Sequence, residues 1–451
     1  MKKKLLGMIL CMAMVISMLG GCGSKEKSED ASQNDSTQND SSQSNAQDDG
    51  SKTEDTADQD SGKSVEITWL HHFQEEGIQK WVNNEVTTFT EANPNIKVNV
   101  EVVAADVYDQ ILKTKIASDD APMIFDLAGR AYYKEYGDAG HLYDLSTLEG
   151  ISSINESMLA DGQIDGKQYG VPLDVNAYCV HYNKGIFDQL GLKVPTTLTE
   201  LKNICDTLVA KGIQPFAAPM AEQWCLQIYF DVLNCSFNPD PNWFTDKMSL
   251  ASTFSEDEQF KKAVETYISF KPYWGDDPMG TDWDTAQNML ANGEAAMLIN
   301  GSWTIDGVTS KNPDCDVRIF AMPSSEDPSG ATMELKPGSG ICMYNTTDEA
   351  KKDAGIKFMN QLLSKESGEF YATNAFKMST AKDVDFSFSD ALMDVQAYPE
   401  SQIWNSAGVT LFSSEYSKLF YETLTNFTMN DKMDVDALAK SLDSDFASIS
   451  K

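Results

Sequence analysis

The sequence predicts an α/β protein with two domains, and three observations support this prediction. Between 65 and 127, segments whose apolar residues have the period of a strand alternate with segments whose apolar residues have the period of a helix. This strand–helix–strand–helix–strand order is typical of parallel strands covered by helices. The foldable segment, about 65–451, is too long for one ordinary hydrophobic core, and no internal repeat divides it.

The first elements follow each other closely. A strand is predicted over 65–70, and Val82, Val86 and Phe89 then recur at helical spacing up to an Asn-Pro stop at 93–94. A second strand alternates apolar and polar residues over 96–102. A second helix over 108–116 and a short apolar strand over 123–127 complete this unit.

The same alternation returns further along the chain. Thr197 and Glu200 have the spacing of a capping box, which predicts a helix that Gly212 ends. The remaining periodic segments predict helices around 260–268, 283–291, 350–362 and 438–446 and a strand over 295–299.

The amino terminus has the features of an export signal. Three lysines precede an apolar run over 5–19, which is shorter than the roughly 20 residues of a membrane-spanning helix. The run ends in Leu-Gly-Gly-Cys, which resembles a bacterial lipobox. This resemblance implies a lipoprotein signal peptide over 1–21 and an acylated Cys22 that anchors the protein to the lipid bilayer. An ordinary signal peptide with an incidental cysteine is the alternative.

The segment after Cys22 predicts a disordered acidic and polar stalk over 22–64. From 23 to 64 there is no aromatic residue and no Leu, Ile, Val or Met, so the segment cannot bury a core. Its acidic residues repel each other and extend the chain. An acidic tail that binds a partner is the other interpretation.

Charge and cysteine content narrow the functional classes. The formal charge of −34 argues against nucleic-acid binding, which needs a basic face. Six cysteines lie in the foldable part, an even number that allows disulfides, although buried free thiols fit a chain of this size equally well. We expect no cofactor and a monomer.

Several short motifs carry a resemblance to a known family. They are IASDDAP (116–122), DGKQYGVP (165–172), YNK (182–184), PTTLTEL (195–201), GEAAM (293–297) and NGSW (300–303). In order and spacing this set resembles the extracellular solute-binding proteins of ABC importers, which include the maltose- and other carbohydrate-binding proteins. Three positions depart from the usual pattern: Asp119, Met123 and Leu198 stand where Gly, Asp and Trp are common.

The resemblance implies a two-lobed periplasmic-binding-protein-like α/β fold with discontinuous lobes and a ligand cleft between them. The first lobe would hold 65–173 and 320–373, and the second 174–316 and 376–451. The hinges would lie near 172–178, 317–322 and 373–380. The implied function is capture of a sugar or oligosaccharide and delivery to the permease of an ABC importer, at the extracellular face of a bacterial cell membrane.

Candidate ligand-binding residues follow from sugar chemistry, since sugars offer apolar ring faces to aromatic side chains and hydroxyls to polar ones. By the resemblance, Trp303 stacks on the ligand, and Asp126, Arg130, Asp174, Asn176 and Tyr178 lie in loops or crossings that face it. His71 and His72 follow the first strand, where α/β proteins place ligands. Trp224, Trp274 and Trp404 complete the set.

Each candidate also has a structural alternative. The tryptophans and Tyr178 could fill cores or pack at a hinge, the histidines could be solvated in a loop, and Arg130 could pair with Asp126 or Glu135. We expect no metal site, because neither the histidines nor the acidic cluster around 276–284 has a metal-ligand spacing.

The sequence predicts a binding protein and not an enzyme. The alternatives are a cell-surface carbohydrate-active enzyme, such as a glycoside hydrolase, and a binder of a non-sugar solute. A hydrolase needs two carboxylates across the scissile bond, and this acidic chain offers many. It contains no G-x-S-x-G, H-E-x-x-H or P-loop motif.

Overall fold

The computed structural model describes residues 64–240, 242–405, 412–430 and 432–449. The predicted signal peptide, Cys22 and all but the last residue of the predicted stalk lie outside the described residues. Within the described ranges, no helix has both the length and the apolar character that crossing a membrane requires.

The strands are β1 (Val65–His71), β2 (Ile96–Val102), β3 (Ile124–Leu127), β4 (Gln163–Ile164), β5 (Lys167–Gln168), β6 (Val171–Pro172), β7 (Asp174–Asn183), β8 (Gln214–Phe216), β9 (Ala295–Gly301), β10 (Val317–Phe320), β11 (Met333–Pro337), β12 (Gly340–Met343), β13 (Met378–Ser379) and β14 (Ile403–Asn405). The α-helices are α1 (Glu76–Ala92), α2 (Ala105–Ala117), α3 (Arg130–Asp138), α4 (Glu156–Leu159), α5 (Lys184–Leu190), α6 (Leu198–Ala210), α7 (Gln223–Phe237), α8 (Trp243–Met248), α9 (Glu258–Ser269), α10 (Trp283–Ala291), α11 (Thr304–Lys311), α12 (Glu349–Leu362), α13 (Lys365–Ala375), α14 (Asp390–Ala397), α15 (Ser414–Thr428) and α16 (Val435–Ile449). Every element that the periodicity predicted is present.

The first sheet has the order β2-β1-β3-β12-β6. As predicted, β1 is parallel to β2 and β3, while β12 runs antiparallel to β3. Because side chains alternate along a strand, Trp69 points from β1 toward the covering helices, where its ring centroid lies 5.4 Å from those of both Trp81 and Phe358. Because β1 and β3 are parallel, their carboxyl ends lie at the same edge of the sheet.

The second sheet has the order β14-β11-β7-β9-β8, and β10 and β13 also pair with β7. All seven residues of β9 are buried, as expected for a central strand covered on both faces. The predicted capping box forms at the start of α6, where Thr197 accepts from the Glu200 backbone and Glu200 accepts from the Thr197 backbone. A large aromatic core beneath α7, α9, α15 and α16 supports this lobe.

Three chain segments cross between the two sheets. The first crossing passes from Pro172 in β6 to Asp174 in β7. The third crossing passes from α13, which packs on α1, to β13, which pairs with β7. The second crossing joins β11 to β12 through Gly338 and Ser339. The prediction of a hinge near 317–322 was therefore wrong, because β10 and β11 both pair with β7 and place the strands at 317–320 and 333–337 in the second lobe. The other lobe boundaries stay predictions.

The six cysteines of the described ranges are free thiols, and all except the half-buried Cys315 are buried. They pack as small apolar side chains, which was one of the two alternatives that the sequence left open.

Candidate functional site

A cavity of about 1010 Å³ lies between the two lobes. Its walls come from the loops after β1 and β3 in the first lobe, from α7, α10 and α11 in the second lobe, and from the crossings. The volume is at the upper end of the range of small-molecule sites, about 300–1,000 Å³, so the cavity can hold a ligand larger than a single sugar ring.

A histidine–aspartate pair forms the centre of the first-lobe wall. His72 follows β1, and its Nδ1 lies 2.5 Å from Asp126 Oδ2 on β3. Burial opposes the charged ring of His72, but the adjacent Asp126 carboxylate outweighs it and raises the pKa of His72. The other carboxylate oxygen, Asp126 Oδ1, is buried without a hydrogen-bond partner. A buried acceptor without a partner is costly, so a ligand donor at this position would be stabilising.

Three tryptophans form the second-lobe wall. The ring centroid of Trp224 lies 5.3 Å from that of Trp283 and 6.4 Å from that of Trp303. Glu222 fixes the first two, because its carboxylate accepts from Trp224 Nε1 at 2.6 Å and from the Trp283 backbone at 3.0 Å. A Cβ on Gly301 would lie 2.1 Å from the Trp303 ring, so only glycine lets that ring lie against the backbone. The three rings therefore form a continuous aromatic surface.

The floor of the cavity is a hydrogen-bonded junction of the crossings. Asp174 accepts from Asn176 Nδ2 at 2.9 Å and from the Tyr371 hydroxyl at 2.7 Å. The backbone N–H of Gly338 donates to the Asp174 carbonyl at 2.9 Å, and Lys377 Nζ lies 3.7 Å from the Asp174 carboxylate. All three crossings are therefore tied together at Asp174.

The structure brings together most of the residues that the sequence predicted. Seven of them line the cavity: His72, Asp126, Asp174, Asn176, Tyr178, Trp224 and Trp303. They come from both lobes and the crossings, and their role in ligand binding stays a prediction.

The other four predicted residues do not line the cavity. His71 is fully buried on the same face of β1 as Trp69, between Trp69 and Phe73, and burial lowers the pKa of His71 to about 4. Because successive side chains of a strand point to opposite faces, only one of two adjacent histidines could face the ligand.

Arg130, Trp274 and Trp404 have structural positions. Arg130 donates to the carbonyls of Ala160 and Gln163 at 3.0 and 2.9 Å. Trp274 lies in the aromatic core, 2% exposed. Trp404 lies on β14, the outer edge strand of the second sheet, and packs against the same core.

Sequence reasoning missed Trp283, Asp161 and Tyr371 as cavity residues. Trp283 is the first residue of α10, directly after its capping residue Asp282, and the predicted helix over 283–291 did not show which of its faces meets the cavity. A tryptophan at the start of a predicted helix was the one available signal. Asp161 gave none, because a loop aspartate is unremarkable until its burial, which raises the pKa of Asp161 to about 6, is known.

The acidic cluster around 276–284 has structural roles. Asp282 caps α10 by accepting from the Thr285 backbone, and Asp284 pairs with Lys311. Among the described residues, no group of three or more His, Cys, Asp or Glu side chains is arranged to hold a metal ion.

Comparison with known proteins gives consistent matches. A family model described as bacterial extracellular solute-binding protein matches residues 85–385. A protein of Streptococcus mutans named multiple sugar-binding protein is 24% identical over 331 residues, which cover 72% of this chain and 75% of that protein.

Two solved structures share the fold. One is a solute-binding protein in complex with raffinose, with a TM-score of 0.74 and 21% identity over 86% of this chain and 100% of the other. The second is a chitin oligosaccharide binding protein, with a TM-score of 0.74 and 20% identity over 85% of this chain and 98% of the other. All three named relatives are described as binding proteins. Since the family match spans more than half of the chain, this protein belongs to the bacterial extracellular solute-binding proteins.

Proposed function

We propose that this protein captures a sugar or oligosaccharide in the cavity between its lobes and delivers it to the permease of an ABC importer. The observation that carries this proposal is the pairing of two complementary walls, tryptophans on one side and hydrogen-bonding side chains on the other. Indole rings stack on the apolar faces of sugar rings, while carboxylate and amide groups bind their hydroxyls. The names of the Streptococcus mutans protein and of the two solved structures support a saccharide as the solute.

The proposed mechanism is closure of the lobes on the solute. A sugar that stacks on Trp303 and Trp224 in the second lobe reaches Asp126 and His72 in the first lobe only when the lobes are close. Contacts of this kind favour the closed state, because a ligand shifts a conformational equilibrium by its differential affinity for the two states. The permease would recognise the closed pair of lobes.

The amino-terminal segment supports a tethered receptor at the outer face of the cell membrane. An acylated Cys22 would hold the protein at the bilayer, and the polar segment over 22–64 would let the lobes reach the permease. A Cys22→Ser variant should be released into the medium or the soluble fraction. Retention in the membrane fraction would contradict the lipid anchor.

The direct test is a thermal-shift and calorimetric screen of neutral mono- and oligosaccharides against the purified protein. A true ligand raises Tm because it binds only the folded state, by RT ln(1 + [L]/Kd) in free energy. Chromatography of the recovered sugars should show them intact, since a binding protein releases no product. A shift with amino acids, peptides or polyamines and none with any sugar would replace the saccharide by another solute, and hydrolysed sugar would indicate an enzyme.

A further inference from the structure

The cavity between the lobes is strongly acidic. Ten aspartates and glutamates line it, against three lysines. Asp106, Asp109, Asp126 and Asp161 lie on the first-lobe side, and Glu222 and Asp282 on the second. A cleft lined by charge of one sign focuses the field on whatever enters it.

The three lysines already interact with protein groups. Lys311 pairs with Asp284, and Lys377 lies near the Asp174 carboxylate, with its Nζ 5.5 Å from the centroid of the Trp303 ring. Lys336 Nζ lies 4.9 Å from the centroid of the Tyr178 ring. Burial opposes its charge, but the negative groups around it, Glu334 first among them, outweigh burial and raise the pKa of Lys336.

Arg130 is a further cation of the first lobe, and it also has partners within the protein. The Arg130 guanidinium donates to two backbone carbonyls and is not part of the cavity lining. An acidic sugar, such as a uronate or a sugar phosphate, binds best where a guanidinium or ammonium group can form a charge-assisted pair with it. Among the described cavity residues, each lysine already interacts with an acid or an aromatic ring of the protein.

Two buried carboxyl groups point to the kind of ligand that fits. Asp126 Oδ1 has no hydrogen-bond partner, and its side chain is 3% exposed. Asp161 is 6% exposed in the cavity wall, and burial raises the pKa of Asp161 to about 6. Both groups accept hydrogen bonds from hydroxyls, whereas a ligand carboxylate would bring them a like charge without a proton to donate.

We propose that the cleft selects by charge: it binds uncharged oligosaccharides and excludes acidic ones, with Asp126 and Asp161 in the first-lobe wall as the selecting residues. This inference rests on the proposed sugar-binding function and adds the substrate class. Like charges placed together in a partly desolvated site repel each other, and this repulsion disfavours an acidic analogue of the same shape.

The test uses two matched pools of probes. One contains neutral gluco- and galacto-oligosaccharides of two to four units, and the other contains the same sugars after oxidation of their primary hydroxyls to carboxylates. Equilibrium dialysis with mass spectrometry measures which members the protein retains. We expect retained neutral sugars to bind at least about tenfold more tightly than their oxidised forms. This ratio of affinities should decrease as the salt concentration is raised, because salt screens the repulsion between charges.

The outcomes separate this inference from the function on which it rests. Equal or tighter binding of the oxidised sugars overturns charge selection but leaves sugar binding intact. Retention of neither pool overturns both proposals.

A pair of matched variants locates the selection. Asp161→Asn keeps the shape of the side chain and removes a buried charge. The preference for neutral over oxidised sugars, measured as the ratio of their affinities, should fall at least about threefold because one like-charge contact is lost. Asp165→Asn makes the same change at an exposed position outside the cavity lining and should leave the ratio unchanged. A ratio unaffected by Asp161→Asn, or altered equally by Asp165→Asn, would remove Asp161 from the selecting wall.

Discussion

The two walls of the cavity differ in chemistry and in how the chain builds them. The first-lobe wall holds an imidazole and carboxyl groups at the ends of β1 and β3 and in nearby loops. The second-lobe wall holds three indole rings, and these come from the start of α7, the first residue of α10 and the turn after β9. Carboxyl groups impose direction on hydrogen bonds, whereas indoles contribute contact area with little orientation of hydroxyls. We therefore expect the second lobe to supply affinity and the first lobe to supply selectivity.

The strongest test of this division is Trp303→Ala. Removing the Trp303 ring from the aromatic wall should weaken binding of a neutral oligosaccharide by about 2 kcal/mol, or roughly 30-fold in Kd, as for a buried aromatic anchor. Isothermal titration calorimetry measures the change.

Trp274→Phe is the matched control in the same lobe. It should lower Tm, because Trp274 Nε1 donates to the Tyr229 hydroxyl in the core, while the affinity of the folded protein stays the same. If Trp303→Ala left the affinity intact, the aromatic wall would not be the source of affinity.

A smaller loss is expected from Asp126→Asn in the opposite wall. The amide keeps the shape but weakens the bond to His72 and presents a donor beside a ligand hydroxyl, so binding should weaken by about 1.5 kcal/mol, roughly tenfold. Calorimetry across a series of sugar epimers should show that the variant also discriminates less between them.

Asp120→Asn is the control, because Asp120 is an exposed first-lobe acid that pairs with Lys115. Equal discrimination between epimers by the Asp126 variant and the natural protein would argue against the first lobe as the selective wall.

The difference between the walls also explains what could be predicted from the sequence. The position of Asp126 follows from a general rule, since ligands of α/β sheets lie beyond the carboxyl ends of strands and β3 was predicted from its apolar run. The same rule predicted both His71 and His72 as ligand-binding residues. They differ because successive side chains of a strand point to opposite faces, which places His71 in the core.

The aromatic wall could not be derived in this way. Trp224, Trp274 and Trp283 have similar sequence surroundings, in or near helices, and their exposure depends on how the helices pack. Trp303 was identified by a motif resemblance, not by a physical rule. Trp224, which lines the cavity, was predicted together with Trp274 and Trp404, which do not. The second crossing was misplaced for a related reason: antiparallel pairing of β10 and β11 with β7 joins residues far apart in sequence, which local periodicity does not register.

The smallest expected effect concerns the place where the two lobes touch beside the cavity. Asp306 on α11 of the second lobe is buried, and its carboxylate accepts from the backbone N–H of Gly77, in the first turn of α1 of the first lobe, at 3.1 Å. Burial raises the pKa of Asp306 to about 6, although Lys377, the Gly77 N–H and Ser310 favour the charged form. The contact joins the lobes without belonging to either wall.

The sign of the pH effect follows from this raised pKa. The folded protein holds the Asp306 proton up to about pH 6, whereas an unfolded chain releases it near its ordinary pKa of 3.8. The stability that Asp306 contributes is therefore fully present below about pH 4 and is lost as the pH rises through about 6. Asp306→Asn imitates the protonated form and should be more stable than the natural protein at pH 7.5 by about 1 kcal/mol, after allowing for a weaker bond to Gly77. Urea unfolding at pH 7.5 and pH 4 measures both limits, and the advantage should vanish at pH 4. An equal advantage at both pH values would show that the carboxylate at the lobe contact is not strained by burial.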